Sequence, residues 1–370
     1  MDRHLRVGVD ITCVAGGRGP ARYTVETMKA ISMVCDPNDI FSLYSPFRKE
    51  IEGLPSYFIF KYLPVQSGMP WLNWILPMAV RRDKVDVMFF PANDFWLWRA
   101  APAVVTLHDI APVMQPSVFL SAWRDRLQNR LQMMSLSRIA SSVITVSEFS
   151  ANSIGSAFPR VAEKLRVIYN GLSEPFQLSE VKNISPLHYI LFVGGFDRRK
   201  NLERLMQAYQ LLRVRGRTEK LLLVGLEGQN KKLYYNIPEM IAAYNLQENV
   251  EIKSGVDDNQ LVQLYGNARL LVLPSLIEGF GLPVLEAMAC GCPVASSNAA
   301  SLSEVGGDAA LYFDPYNVQE IADCIERILI NDGLRQDMIK KGYEQVKKFS
   351  WQKAGEQVYR ILKKVAADEM

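Results

Sequence analysis

Residues Glu278–Ala295 read EGFGLPVLEAMACGCPVA. Pro283 fits the first position of a helix, where its missing N–H costs nothing. Gly291 and Pro293 fit the end of that helix. Gly279, Phe280, Gly281 and Leu282 then form a turn feeding a helix N-terminus. Orphan N–H groups and a partial positive charge at such an end suit an anion such as a diphosphate. Glu278 stands just before the turn and Glu286 one turn inside the helix. An anion site between two carboxylate acceptors suits a ligand with a phosphate centre and hydroxyl-bearing ends. A nucleotide sugar has that shape.

Working outward, short β-branched runs alternate with helical patterns. Strands are predicted at Leu5–Ile11, Val85–Phe90, Ala103–Leu107, Ser142–Val146 and Arg166–Tyr169, and again at Ile190–Gly194, Leu221–Val224, Val250–Lys253, Leu270–Leu273 and Val294–Ser296. Between them, residues 202–214 place Leu202, Leu205, Met206, Tyr209 and Leu212 on one face, with Asn201 as N-cap. Alternation of this kind implies parallel sheets covered on both sides. Two such series in 370 residues imply two Rossmann-like α/β domains. Residues 1–171 form the first and 189–350 the second. Residues 172–188, aperiodic with Pro175 and Pro186, form a linker, and 351–370 a final helix. Ligands of open parallel sheets lie beyond the strand C-termini, so two such edges facing each other would make a cleft.

The composition is that of a soluble globular protein, with 49% hydrophobic and 22% charged residues. No signal peptide precedes the first strand. The five cysteines have no metal spacing and read as reduced thiols of a cytoplasmic protein. Residues 1–172 hold 19 Lys+Arg against 14 Asp+Glu, net +5, and the remainder 23 against 25, net −2. The basic half points to an anionic partner there, a phospholipid surface or a lipid-phosphate acceptor. Residues 62–80 carry no charge, but Pro64, Pro70 and Pro77 argue against a membrane span. Trp71 and Trp74 ahead of Arg81, Arg82 and Lys84 fit either an interfacial segment or a helix packed on the sheet.

The 278–295 segment resembles the E-x7-E signature of retaining glycosyltransferases of the GT-B fold, family 4. Other stretches carry the same resemblance. Residues 190–204, ILFVGGFDRRKNLER, turn at Gly194–Gly195 and then place Arg198, Arg199 and Lys200 at a strand end. The resemblance implies that Lys200 binds the donor diphosphate. Many members carry an Arg after the first glycine, where this chain has Gly195, and Arg199 is the substitute. The loop 14–24, VAGGRGPARYT, lacks the GxGxxG spacing of a dinucleotide site. Gly17, Arg22 and Tyr23 match the family's loop near the donor phosphates and acceptor. His108 ends a strand, and family members carry His there beside the donor sugar, with Asp109 next to it as an orienting group. Ser147 and Glu148 open a Ser-Glu-Phe-Ser segment at the edge of the first sheet. Asn170-Gly171 and the run from Ser301 to Gly307 also match.

The resemblance implies a metal-independent hexosyltransferase. No Asp-x-Asp motif is present, and Asp257-Asp258 read as a helix cap. Glu286 would bind ribose hydroxyls. Glu278 would face the sugar and the anomeric carbon, with backbone near Phe280–Leu282 on sugar and phosphate. The Arg-Lys-Asn-Leu form points to GDP-mannose or a GDP-deoxyhexose such as GDP-rhamnose. The acceptor implied is a saccharide or lipid-linked saccharide of surface polysaccharide, such as O-antigen, reached from the cytoplasmic face of the membrane. Nucleic acid is not an implied partner. A UDP-hexose transferase, a GT-B nucleotide-sugar epimerase, a dinucleotide oxidoreductase and a non-catalytic scaffold remain open alternatives.

Overall fold

Long apolar runs such as Tyr189–Val193 and Leu270–Leu273 can be satisfied only in strands buried on both faces. The computed structural model describes residues 4–368 apart from 17–18, 66, 110–122, 178–188, 227, 229 and 231, and apart from the side chains of 124, 125 and 128. Gly17 therefore lies outside the described residues. The described chain up to Gly171, joined by Ser350 onward, forms one unit, and Leu172–Phe349 forms another.

In the first unit seven strands pair in the order β3-β2-β1-β4-β5-β6-β7. They are β1 Arg6–Asp10, β2 Ile40–Ser45, β3 Phe58–Tyr62, β4 Val87–Phe90, β5 Ala103–Leu107, β6 Ala140–Thr145 and β7 Leu165–Val167. Every pairing is parallel. The sequence reading missed β2 and β3, which continue the sheet on one side of β1. β3 is the outermost strand and half exposed, with Lys61 breaking its apolar run. The order of strands reverses between β1 and β4, which is where open parallel sheets bind ligands.

The second unit repeats the plan with six parallel strands, β10-β9-β8-β11-β12-β13. These are β8 Tyr189–Val193, β9 Lys220–Val224, β10 Val250–Lys253, β11 Leu270–Leu273, β12 Val294–Ser297 and β13 Ala310–Phe313. Its reversal lies between β8 and β11. The Leu202–Val214 helix buries Leu202, Leu205, Met206, Tyr209 and Leu212.

The last helix, Trp351–Asp368, belongs to the first unit and lies on the Gly19–Ser32 helix. A Cβ on Gly355 would stand 2.5 Å from Ala30 Cβ, so glycine sets the closeness of the two helices. A Cβ on Gly171 would stand 2.0 Å from Trp351 N, which fixes where the chain returns. The Tyr359 hydroxyl donates to Asp39 and accepts from the Asp36 N–H at 3.0 Å.

Candidate active site

Two turns meet at the reversal of the second sheet. After β8 the chain passes Gly194 and Gly195 and makes one tight turn over Arg198–Lys200. After β11 it passes Pro274, Ser275 and Glu278 into the Leu282–Ala289 helix. The Leu276 N–H donates to the Arg199 carbonyl at 2.8 Å. Asn201, left-handed at φ 57°, donates from Nδ2 to the carbonyls of Pro274 (3.1 Å) and Pro315 (2.7 Å). These ties pin three strand ends together, and the expected N-cap bond is absent because Asn201 Oδ1 accepts from the Arg204 guanidinium at 2.9 Å. Gly225, at the end of β9, completes the floor: a Cβ there would stand 1.9 Å from the Gly194 carbonyl oxygen.

This architecture brings Lys200 and Glu278 together. Both are buried, and the Lys200 ammonium donates to Glu278 Oε1. Ser275 Oγ donates to the same oxygen at 2.7 Å. Burial alone would raise the Glu278 pKa, but the charges of Lys200 and Arg199 and the two hydrogen bonds outweigh it and hold the carboxyl below its usual value. A Cβ on Gly194 would stand 3.4 Å from Lys200 Nζ, so the glycine leaves room for the ammonium. Arg199 also bonds Asp197 at 2.8 Å. Arg198 turns away, donating to the Lys232 carbonyl at 3.0 Å and lying over the Tyr235 ring. Of the two arginines, Arg199 is the one whose charge reaches Glu278.

The glycine-rich turn is built as the sequence implies, with one shift. Gly281 is the N-cap at φ 109°, so Leu282 is the first helical residue and Pro283 the second. A Cβ on Gly281 would stand 2.7 Å from Leu302 Cδ2, so both conformation and space demand glycine there. Ser301 Oγ reaches the carbonyls of Glu278 (3.0 Å) and Phe280 (2.8 Å) and braces the turn across Gly279. Glu286, buried on the helix, accepts from the Tyr265 hydroxyl at 2.9 Å. Burial, then the Glu286 charge, pushes the Tyr265 pKa well up, so the hydroxyl stays a donor. Tyr265 and Ser275 were not foreseen, because each reads as an ordinary core or turn residue in sequence. Asp257 caps the Asp258–Asn267 helix with a reciprocal Gln260 bond, and no group of three or more His, Cys, Asp or Glu is placed to hold a metal among the described residues.

The C-terminal edge of the first sheet carries His108, directly after β5. Its backbone N–H donates to Asn93 Oδ1 at 2.9 Å, and its ring Nε2 lies 2.9 Å from the Pro91 carbonyl. A carbonyl only accepts, so Nε2 carries the proton and Nδ1 is the ring's acceptor. Burial lowers the pKa of His108, opposed by the Pro91 bond and the Asp109 charge. Asp109 contributes charge, while the Pro91 carbonyl sets the ring orientation. Tyr23 is buried, edge-on to the imidazole at 4.8 Å and 3.2 Å from Thr106 Oγ1. It backs His108 rather than offering a surface to an acceptor. Ser147 is likewise buried and caps the Glu148–Ala157 helix through the Ser150 N–H, while Glu148 is exposed. Arg22 lies half-buried in the first turns of the Gly19–Ser32 helix.

One residue at this edge was not foreseen. Asp10, buried at the end of β1, accepts from both the N–H and the hydroxyl of Thr12 and from Trp71 Nε1 at 3.4 Å. Burial raises its pKa to about 6 against the lowering by Thr12. Trp71 is thus a core residue, whereas Trp74 is exposed. No helix among the described residues is long and apolar enough to cross a membrane.

Two reversal-point sites on two parallel sheets, one with a paired Lys and Glu and a Gly-rich helix start, define a nucleotide-binding α/β enzyme of the GT-B type. Comparison agrees along the chain. Residues 5–174 match the family described as Glycosyltransferase Family 4, and 177–345 match Glycosyl transferases group 1. The O-antigen chain mannosyltransferase B of Escherichia coli is 33% identical over 296 residues, covering 76% of this chain and 75% of that protein. The serotype-specific mannosyltransferase WbdA of Escherichia coli is 30% identical over 259 residues, 67% of this chain but 32% of that longer protein. The sucrose-phosphate synthase of Thermosynechococcus elongatus superposes with a TM-score of 0.81 at 19% identity, covering 99% of this chain and 100% of that one, and shows the shared fold. The chain belongs to the family 4, group 1 glycosyltransferases and is a glycosyltransferase.

Proposed function

We propose that this enzyme transfers a mannosyl group, with retention, from GDP-mannose to a saccharide or lipid-linked saccharide of surface polysaccharide. The mannosyltransferases among its relatives support the sugar. The observation that carries the reading is the buried Lys200–Glu278 pair beside Glu286 and the 279–282 turn.

In this reading the second unit holds the donor and the first the acceptor. Lys200 and Arg199 neutralise the diphosphate as charge builds on the leaving oxygen. Backbone at Gly194, Gly195 and Gly279–Leu282 lies along phosphate and sugar. Glu286 binds the ribose hydroxyls, oriented by Tyr265. Glu278, ionised through its neighbours, stabilises positive charge at the anomeric carbon. His108 keeps Nδ1 as a hydrogen-bond acceptor. The anomeric C–O bond to phosphate breaks, the acceptor oxygen bonds to that carbon on the same face, and its proton passes to the departing phosphate oxygen. With the cations of the chain meeting the diphosphate, no metal takes part. The enzyme works at the cytoplasmic face of the membrane.

The test is incubation with GDP-mannose and acceptor in chelator, followed by NMR of the product. An α-linked mannoside made without metal supports the reading. Transfer from a UDP-hexose alone would overturn the donor, and an epimerised sugar formed without acceptor would replace transfer by isomerisation.

A further inference from the structure

The turn from Glu278 into the Leu282–Ala289 helix has few side chains to hold it. Between Glu278 and Leu282 it carries one, Phe280, flanked by Gly279 and Gly281. Two glycines leave a short backbone run with much conformational freedom to lose, so its geometry must be imposed from outside. Ser301 imposes part of it, through the carbonyls of Glu278 and Phe280. The Phe280 side chain imposes another part. It is buried and meets the Phe349 ring edge-on, with centroids 5.7 Å apart and planes at 77°.

Phe349 is the last residue of the second unit, and it is itself held. It closes a turn behind the Asp332–Val346 helix, its N–H donating to the Val346 carbonyl at 3.1 Å and the Lys348 N–H to the Gln345 carbonyl at 3.2 Å. The buried Gln345 donates from Nε2 to the Val305 carbonyl at 2.9 Å and accepts from Lys348 Nζ at 2.7 Å. Val305 lies in the Leu302–Gly306 helix, which begins directly after Ser301. The two braces of the turn, Ser301 and Phe349, are thus tied to each other behind it. The Asp332–Val346 helix also packs along the helix that carries Glu286, where a Cβ on Gly342 would stand 3.3 Å from Met288 Cβ.

We infer that Phe349 is a positioning residue of the donor site. Its ring fixes the Phe280 side chain and, through it, the backbone of Gly279–Leu282. Phe349 acts on the ligand only through Phe280. The inference rests on the reading above that this turn lies along the diphosphate and the sugar. An edge-to-face aromatic pair is worth about twofold to tenfold in an equilibrium constant. Without it the donor must order the turn as it binds, and that ordering is subtracted from its affinity. Lys200, Glu278 and Glu286 all remain, so the loss falls on donor binding more than on the chemical step.

The experiment is calorimetric titration of GDP and UDP into the full chain, paired with amide hydrogen exchange of residues 279–284 without ligand. Phe349→Leu should weaken nucleotide binding by about twofold to tenfold, raise the donor KM and leave the acceptor KM unchanged. Its turn amides should exchange faster in the ligand-free protein. Phe349→Tyr keeps the ring and should bind nucleotide as the native protein does. Phe280→Leu combined with Phe349→Leu should cost less than the product of the two single losses, since both remove one contact. Leu329→Ala, buried elsewhere in the second unit, should lose stability and keep nucleotide affinity. If Phe349→Leu does not fold, Phe280→Leu reads the same contact from the other side. Native affinity and native exchange in folded Phe349→Leu overturn the inference, as does an equal loss of affinity in Leu329→Ala. Absence of nucleotide binding by the native protein refutes the donor reading instead, and exchange of the turn then decides for or against Phe349.

Discussion

Lys200 and Glu278, 78 positions apart in sequence, form a buried ion pair at the C-terminal ends of β8 and β11. Neither side chain has much water to fall back on, so each is the other's solvent. Lys200→Met leaves the buried Glu278 carboxyl with the Ser275 hydrogen bond and the Arg199 charge but no contacting ammonium, at a cost of about 3 kcal/mol. Adding Glu278→Gln should recover part of that loss, a coupling of about 1–3 kcal/mol by urea denaturation. Strictly additive effects would mean that the two side chains do not interact.

The two glutamates should fail differently. Glu286→Ala should weaken nucleotide binding, while Glu278→Ala should mainly lower turnover. Tyr265→Phe keeps the Glu286 carboxylate but removes its orienting bond, so donor affinity should fall by about tenfold or more, the worth of one hydrogen bond to a charged group. Titration calorimetry with GDP and steady-state kinetics separate these effects. Equal losses of affinity in the Glu278 and Glu286 variants would contradict the division of roles.

Gly225→Ala tests the glycine floor. Its Cβ would collide with the Gly194 carbonyl oxygen, and backbone cannot move aside as a flexible side chain can. The variant should be destabilised by more than about 1 kcal/mol and should bind nucleotide less well, since Gly194 is displaced beside Lys200. A Gly216→Ala control opens onto free space but sits at φ 83°, so it should lose stability without losing nucleotide affinity. Both are read by thermal melts with and without GDP.

Asp10 predicts a pH dependence. Its folded pKa, about 6, lies above the ordinary 3.8. Between these values the folded chain keeps a proton that the unfolded chain releases. Stability therefore falls as pH rises from about 4 to about 6 and levels off above that, by up to about 3 kcal/mol from this group. Asp10→Asn should remove this slope, so the difference between variant and native protein shifts in the variant's favour across that window. A parallel pair of stability curves would contradict the buried, protonated carboxyl.

Much of the fold was legible because parallel strands buried on both faces leave long apolar runs, as at Ile190–Val193 and Leu270–Leu273. β2, β3 and β13 escaped: Ser42 and Ser45 interrupt the apolar run of Ile40–Ser45, and Phe58–Tyr62 and Ala310–Phe313 are short, half-exposed edge strands. The turn into the Leu282–Ala289 helix was legible from Gly279, Gly281 and Pro283, residues whose backbone demands are local. Tyr265 and Ser275 were not, because their roles come from helices and turns brought together by the sheet. Asn201 reads as a cap in sequence, yet its amide oxygen is taken by Arg204 while its nitrogen donates to Pro274 and Pro315. Trp71 and Trp74, three residues apart, read alike, and only packing against Asp10 separates the core residue from the exposed one.

The central claim is a nucleoside diphosphate site built on Lys200, Glu278 and Glu286. Its most direct test is calorimetric titration of GDP and UDP, in chelator, into the native protein and Glu286→Ala. The account predicts that GDP binds without metal, more tightly than UDP, and about tenfold or more weakly to the variant. Failure of every nucleoside diphosphate to bind, or binding indifferent to Glu286→Ala, would contradict it.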